Sequence, residues 1–271
     1  MAAALLSALL HASWNAAVKA DARPAQAMSA QMFASALIAL AALPLVGRPA
    51  PHSLPWMAVS VSFSLASVAA LLRAYRDASF GVAYPITRGA SVMLVVPLAA
   101  LLAGEWPRPL GLAGVALVAV AVLLLALRAG GALSRRGLGW ALAAAACTAC
   151  YVVSDARGVR ASGSPLAYGC LLSVANALIW GWLQRATGSP LAALRAQGPR
   201  AWAMAAAAIG SYLLILWVWS RAPIALGSAL RDTSALWAAL IAVVWLKEAL
   251  DRVTLVAIGL ATAGSVLIRL S

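Results

Sequence analysis

The chain has 271 residues, 64% of them hydrophobic and 10% charged, with a mean hydropathy of +0.93. A soluble domain carries about 45–50% apolar residues, so this composition excludes one and points to a polytopic membrane protein. The formal charge of +13 would suggest nucleic acid in a soluble protein, but the basic residues are mostly single arginines at the ends of apolar runs and form no contiguous stripe, which argues against nucleic-acid binding.

A spanning helix needs about 20 predominantly apolar residues. Ten such runs follow one another, at 2–18, 27–46, 54–73, 80–103, 109–127, 138–155, 165–183, 200–219, 223–246 and 252–268. The connections are short and carry turn residues, as in Pro49-Ala50-Pro51, Gly130-Gly131 and Gly188-Ser189-Pro190, so no soluble domain is expected.

The first run has no basic residue before it and no cleavage site after it, which predicts a retained helix. His11 and Asn15 lie one turn apart there and share a face. A histidine titrates near neutral pH, so His11 is the proton-coupling candidate in a helix without a carboxylate. The alternative is packing, with His11 bonded to Asn15 or to a neighbouring helix.

The fourth run places Tyr84, Arg88 and Ser91 on one face, because residues three and four apart are neighbours on a helix. Pro85 and Gly89 predict a kink beside Arg88. Cys147 and Cys150 in the sixth run and Cys170 in the seventh have no histidine to complete a zinc set and read as small packing residues. Tyr151 and Asn176, in the same two runs, supply polar or aromatic walls. Trp56, Trp106, Trp180 and Trp182 stand near run ends, as interfacial anchors do.

In the ninth run Gly227, Arg231 and Ser234 share a face, and Asp232 points about 100° further round. Ser228 joins the candidate substrate-binding residues. Glu105 and Glu248 close the fourth and ninth runs, where a solvated or capping role fits.

Shifting the sequence by 143 positions superposes Arg88 on Arg231, Ser91 on Ser234 and Glu105 on Glu248, and two further residues bring Gly114 onto Gly259. Each half, 1–130 and 131–271, then holds five helices. An odd number forces opposite insertion, the inverted-repeat plan of many secondary transporters, with a substrate site near the midplane between the halves. Assigning loops to alternate sides puts twelve basic residues opposite the termini and six beside them; the positive-inside rule then leaves both termini outside.

The stretches "LLHASWNAAVKA" with Trp14, Asn15 and Lys19, "AYRDASFGVAYPITRGAS", "GEWPRPLGLAG" and "LKEALDRVTLVAIGL" resemble the drug/metabolite transporter superfamily, and within it the ten-helix EamA-type transporters. The resemblance spans essentially the whole chain. It implies an all-α integral membrane protein of two inverted five-helix EamA-like repeats, in the bacterial inner membrane, moving small metabolites such as amino acids by alternating access without a cofactor. Two departures stand out. Small multidrug exporters of the superfamily use a glutamate in their first helix, which this chain lacks there, and the ten-helix relatives keep their termini in the cytoplasm.

A charge at a helix centre costs about 2.5–3.5 kcal/mol on insertion scales, which singles out Arg88, Arg231 and Asp232. Two arrangements fit them. Arg88 and Asp232 form a structural bridge while Arg231 snorkels or bonds carbonyls; or two arginines against one aspartate leave a positive site for a carboxylate, phosphonate or phosphate.

The substrate-binding candidates are therefore His11, Trp14, Asn15, Tyr84, Arg88, Ser91, Tyr151, Asn176, Ser228, Arg231 and Asp232. No run carries paired carboxylates, a metal-type histidine pair or a Gly-rich phosphate loop, so a transporter driven by a proton or counter-substrate is expected rather than an enzyme. A lipid or lipid-linked flippase and a cationic drug exporter are the alternatives. Oligomeric state is left open.

Overall fold

The helices start and stop where local chemistry dictates. Pro24, Pro165, Pro190 and Pro199 stand in the first turn of their helices, where a missing N–H costs nothing. Ser134, Ser164 and Ser189 are N-caps whose hydroxyls accept from Gly137, Ala167 and Ala192 N–H. Gly163, at φ +70°, ends another helix in the left-handed conformation that glycine tolerates.

The computed structural model describes residues 1–77, 80–128, 134–186, 188–234, 236–237 and 252–271. In chain order these form α1 (Ala2–Lys19), α2 (Pro24–Val46), a short 3-10 turn (Pro51–Ser53), α3 (Leu54–Asp77), α4 (Phe80–Ala103), α5 (Pro109–Arg128), α6 (Arg135–Ser162), α7 (Pro165–Leu183), α8 (Pro190–Gln197), α9 (Pro199–Trp219), α10 (Ile224–Asp232) and α11 (Arg252–Leu270). Among the described residues there is no strand. Six helical stretches among the described residues are long and apolar enough to cross a membrane: Pro24–Val46, Pro51–Asp77, Ile86–Ala103, Arg135–Ser162, Pro165–Leu183 and Pro199–Trp219.

Three features depart from the sequence reading. Helix α6 runs on to Ser162 instead of ending at Asp155. The connection around Gly188-Ser189-Pro190 holds a short helix, α8, started by the Ser189 cap and Pro190. An interruption not expected from the sequence falls at Thr233, directly after Asp232, while α4 is helical through Pro85 and Gly89, where the sequence predicts a kink. Glu248 lies outside the described residues.

The most extensive helix contacts join the first part of the chain to the second: α3 with α6, α5 with α11, α4 with α6, α1 with α9 and α2 with α7. At the α5–α11 crossing a Cβ on Gly114 would come 2.7 Å from Gly264 O, and one on Gly264 would come 2.7 Å from Gly114 O. Such an approach needs two glycines, as small residues commonly serve between membrane helices. Gly259, the residue the sequence shift brings onto Gly114, takes no part in this crossing: a Cβ there would meet nothing within 4 Å.

Candidate functional site

A central cavity of ≈ 160 Å³ lies among α1, α2, α3, α4, α6, α7, α9 and α10. Seven sequence-predicted residues line it: His11, Trp14, Asn15, Arg88, Tyr151, Asn176 and Arg231. Tyr84, Ser91 and Asp232 stand behind Arg88, buried. Ser228 is buried too, away from the cavity wall, and its hydroxyl finds no partner among the described residues.

The face of α4 works as helical spacing predicts. Arg88 Nη1 donates to Asp232 Oδ1 at 3.2 Å and Ser91 Oγ donates to Asp232 Oδ2 at 3.2 Å, so both carboxylate oxygens are used. Tyr84 places its ring 5.2 Å from the Arg88 guanidinium and its hydroxyl 3.0 Å from Ser234 Oγ. This cluster fastens α4 to α10.

Arg231 behaves differently. It is only 4% exposed, so it does not snorkel, and among the described residues it bonds no carbonyl and has no carboxylate within 4 Å. Its Nη2 is 3.4 Å from His11 Nδ1, its guanidinium 5.7 Å from the Trp219 ring, and its Nε has no partner among the described residues. Arginine has donors only, so His11 Nδ1 accepts and the ring proton sits on Nε2, itself buried without a partner. The His11 ring stands edge-on to Trp14 at 5.2 Å. Asn15 bonds the His11 backbone carbonyl at 2.9 Å, not the ring.

On the opposite wall Asn176 Oδ1 accepts from Ser64 Oγ at 2.9 Å, joining α7 to α3. Met28, Met32, Val68, Leu71 and Ile209 supply apolar surface. The site is amphipathic, with its charge gathered on α4 and α10.

Sequence reasoning missed Asp155. It is fully buried on α6 and accepts hydrogen bonds from Tyr212 and, at 3.4 Å, from Tyr168; Tyr212 also lines the cavity. The sixth apolar run ends at 155, but the stop signal is Ser162-Gly163-Ser164-Pro165, seven residues later. The interior therefore holds Asp155 and Asp232 against Arg88 and Arg231.

Trp180 also needs correction. It is 3% exposed and donates to Ser29 Oγ at 2.9 Å, whereas Trp106 and Trp182 are exposed as anchors would be. Glu105 does cap, but on another helix: its Oε2 accepts from Ile224 N–H of α10 at 2.6 Å. No cluster of three His, Cys, Asp or Glu suited to a metal is found among the described residues.

Apolar helices surrounding a cavity of this size, with buried charges on its wall, are what a polytopic membrane transporter requires. Residues 135–270, half of the chain, match the model of the EamA-like transporter family, and the chain belongs to that family. It is an integral, multi-pass membrane transporter of the drug/metabolite type, not an enzyme, and it takes a small-molecule substrate. A solved crystal structure is similar over 99% of this chain and 95% of its own, with a TM-score of 0.74 at 17% identity, a likeness of fold. No curated protein matches.

Proposed function

We propose that the chain carries a small metabolite bearing a carboxylate or phosphonate, such as an amino acid, and that Arg231 holds the anionic group. The observation behind this is a buried guanidinium at the cavity wall with no carboxylate within reach among the described residues. Arginine presents two parallel donors to such a group, while Arg88 is already engaged by Asp232. The apolar wall favours a substrate with an apolar body, and two arginines beside the cavity disfavour a cationic drug.

Ten membrane helices arranged as inverted repeats 1–130 and 131–271, in a bacterial inner membrane, give alternating access by rocking one half against the other. For proton coupling, Asp155 is the better candidate than His11. The His11 ring already accepts from Arg231, whereas Asp155 accepts from the hydroxyls of Tyr168 on α7 and Tyr212 on α9 and has no ion pair within 4 Å among the described residues.

The test is thermal stability in detergent against amino acids, organic and phosphonic acids, nucleosides and lipophilic cations. A ligand at about 100 times its dissociation constant adds about 2.7 kcal/mol. A carboxylate or phosphonate should stabilise the wild type and leave a folded Arg231→Gln variant unaffected. Stabilisation by cations alone, or an unchanged response in Arg231→Gln, overturns the reading.

A further inference from the structure

A second cavity, of ≈ 390 Å³, opens at one end of the bundle, walled by the start of α2, the ends of α3 and α7 and the start of α8. It neighbours the central cavity along shared helices. On α7, Asn176 lines the central cavity while Trp180 and Gln184, one and two turns on, line the second. The Trp180–Ser29 hydrogen bond stands where the two meet.

Three arginines face into it: Arg23, Arg73 and Arg76. Its lining includes no Asp or Glu, and among the described residues none of the three guanidiniums has a carboxylate within 4 Å. The acids nearest in sequence meet other groups. Asp21 accepts from the Arg23 backbone N–H at 2.8 Å and from Gln197 Nε2 at 2.7 Å and lies 4.0 Å from Arg200, so it offsets the Arg23 charge only in part, and Asp77 meets Arg136 at 3.7 Å. Arg73 is held in place, donating to Ala69 O at 3.3 Å with its guanidinium 5.0 Å from the Trp140 ring.

One carboxylate needs one arginine. Three unpaired guanidiniums around one cavity suit a group of higher charge, and a phosphate group carries about −1.5 to −2 at neutral pH with three acceptor oxygens. Gln26 adds a buried acceptor, Oε1, without a partner among the described residues; a hydroxyl on the same ligand would supply its donor. Leu72, Ala69 and Trp180 give the cavity an apolar side. This end of the bundle also carries Arg185, Arg195 and Arg200, matching the basic face that an anionic leaflet attracts.

We propose that this second cavity is a binding site for a phosphate-type oxyanion, borne either by an anionic phospholipid headgroup or by a free phosphate compound. The site is independent of Arg231 and of the substrate held in the central cavity.

Two probes separate the sources. In neutral detergent, inorganic phosphate is titrated against chloride at matched ionic strength while thermal unfolding is followed. In nanodiscs, phosphatidylcholine alone is compared with phosphatidylcholine plus phosphatidylglycerol. The wild type and Arg231→Gln should both melt higher with one of these probes, and Arg73→Gln/Arg76→Gln should lose the response, with apparent affinity weakened about tenfold or more. Arg76→Gln alone guards against misfolding of the double variant, because Arg76 is exposed and makes no hydrogen bond to described residues.

A response to inorganic phosphate assigns a free phosphate compound, and a response to phosphatidylglycerol alone assigns the lipid. If neither probe stabilises the wild type, or the arginine variants respond as it does, the proposal fails. It fails equally if Arg231→Gln abolishes the response, since the anion would then occupy the central cavity.

Discussion

Arg88 and Arg231 occupy matching places under the 143-residue shift, yet among the described residues only Arg88 reaches a carboxylate, Asp232 Oδ1 at 3.2 Å. Helical spacing made the Tyr84–Arg88–Ser91 face legible, and it placed Asp232 off the Arg231 face. It left open which arginine the aspartate meets, because that depends on how α4 and α10 lie against each other. Removing one member of a buried pair strands the other charge, at a cost of about 3–5 kcal/mol, whereas replacing both with apolar residues is often near neutral. Arg88→Met and Asp232→Leu should each destabilise by that amount and the double variant by much less, read from unfolding in detergent. Additive losses would mean that the pair contributes no coupling.

Helix α6 shows how one element sets a site. Its continuation past Asp155 carries that carboxylate inside, and Gly158 lets Tyr168 reach it: a Cβ on Gly158 would stand 2.6 Å from Tyr168 Cζ. Gly158→Ala should therefore push the ring off Asp155 and cost about 1–3 kcal/mol, the usual price of overpacking. Gly139→Ala on the same helix, where a Cβ would meet nothing within 4 Å, should gain about 0.5–1 kcal/mol from helix propensity. Equal melting shifts for the two variants would refute this account. In α10 the chain turns at Thr233, whose Oγ1 bonds Leu230 O at 2.6 Å, so the helix is interrupted next to the buried pair.

Across the whole molecule, polar ties fasten both ends of the bundle. At one end Glu105 caps α10 and bridges to Arg160, which donates to Trp219 O at 2.8 Å and Ala222 O at 2.9 Å. At the other, Asp21 joins the α1–α2 link to Gln197 and Arg200. Partial burial works against ionising Asp21, but hydrogen bonds from Arg23 N–H and Gln197, with the charges of Arg200 and Arg23, hold its carboxyl below the ordinary value. A depressed folded value means that the stabilisation is present above the unfolded pKa and lost as pH falls through the folded one. Asp21→Asn should thus cost up to about 1 kcal/mol at neutral pH, with the difference shrinking as pH falls below roughly 4 and vanishing once pH is below the depressed folded value. A gap in melting temperature that persists or widens there would exclude the electrostatic origin.

The sequence by itself determined the membrane class, the places of most helices, the resemblance to EamA-type transporters and the candidacy of Arg88, Arg231 and Asp232. Composition, apolar run length and helical spacing are local properties, and they survive without knowledge of packing. Only the tertiary structure decided that Arg88 meets Asp232 while Arg231 meets His11, that Trp180 bonds Ser29 inside the bundle, and that Asp155 faces Tyr168 and Tyr212. Each of these depends on the rotation of one helix against neighbours distant in sequence. Periodicity fixes which residues share a face, but packing fixes what that face meets.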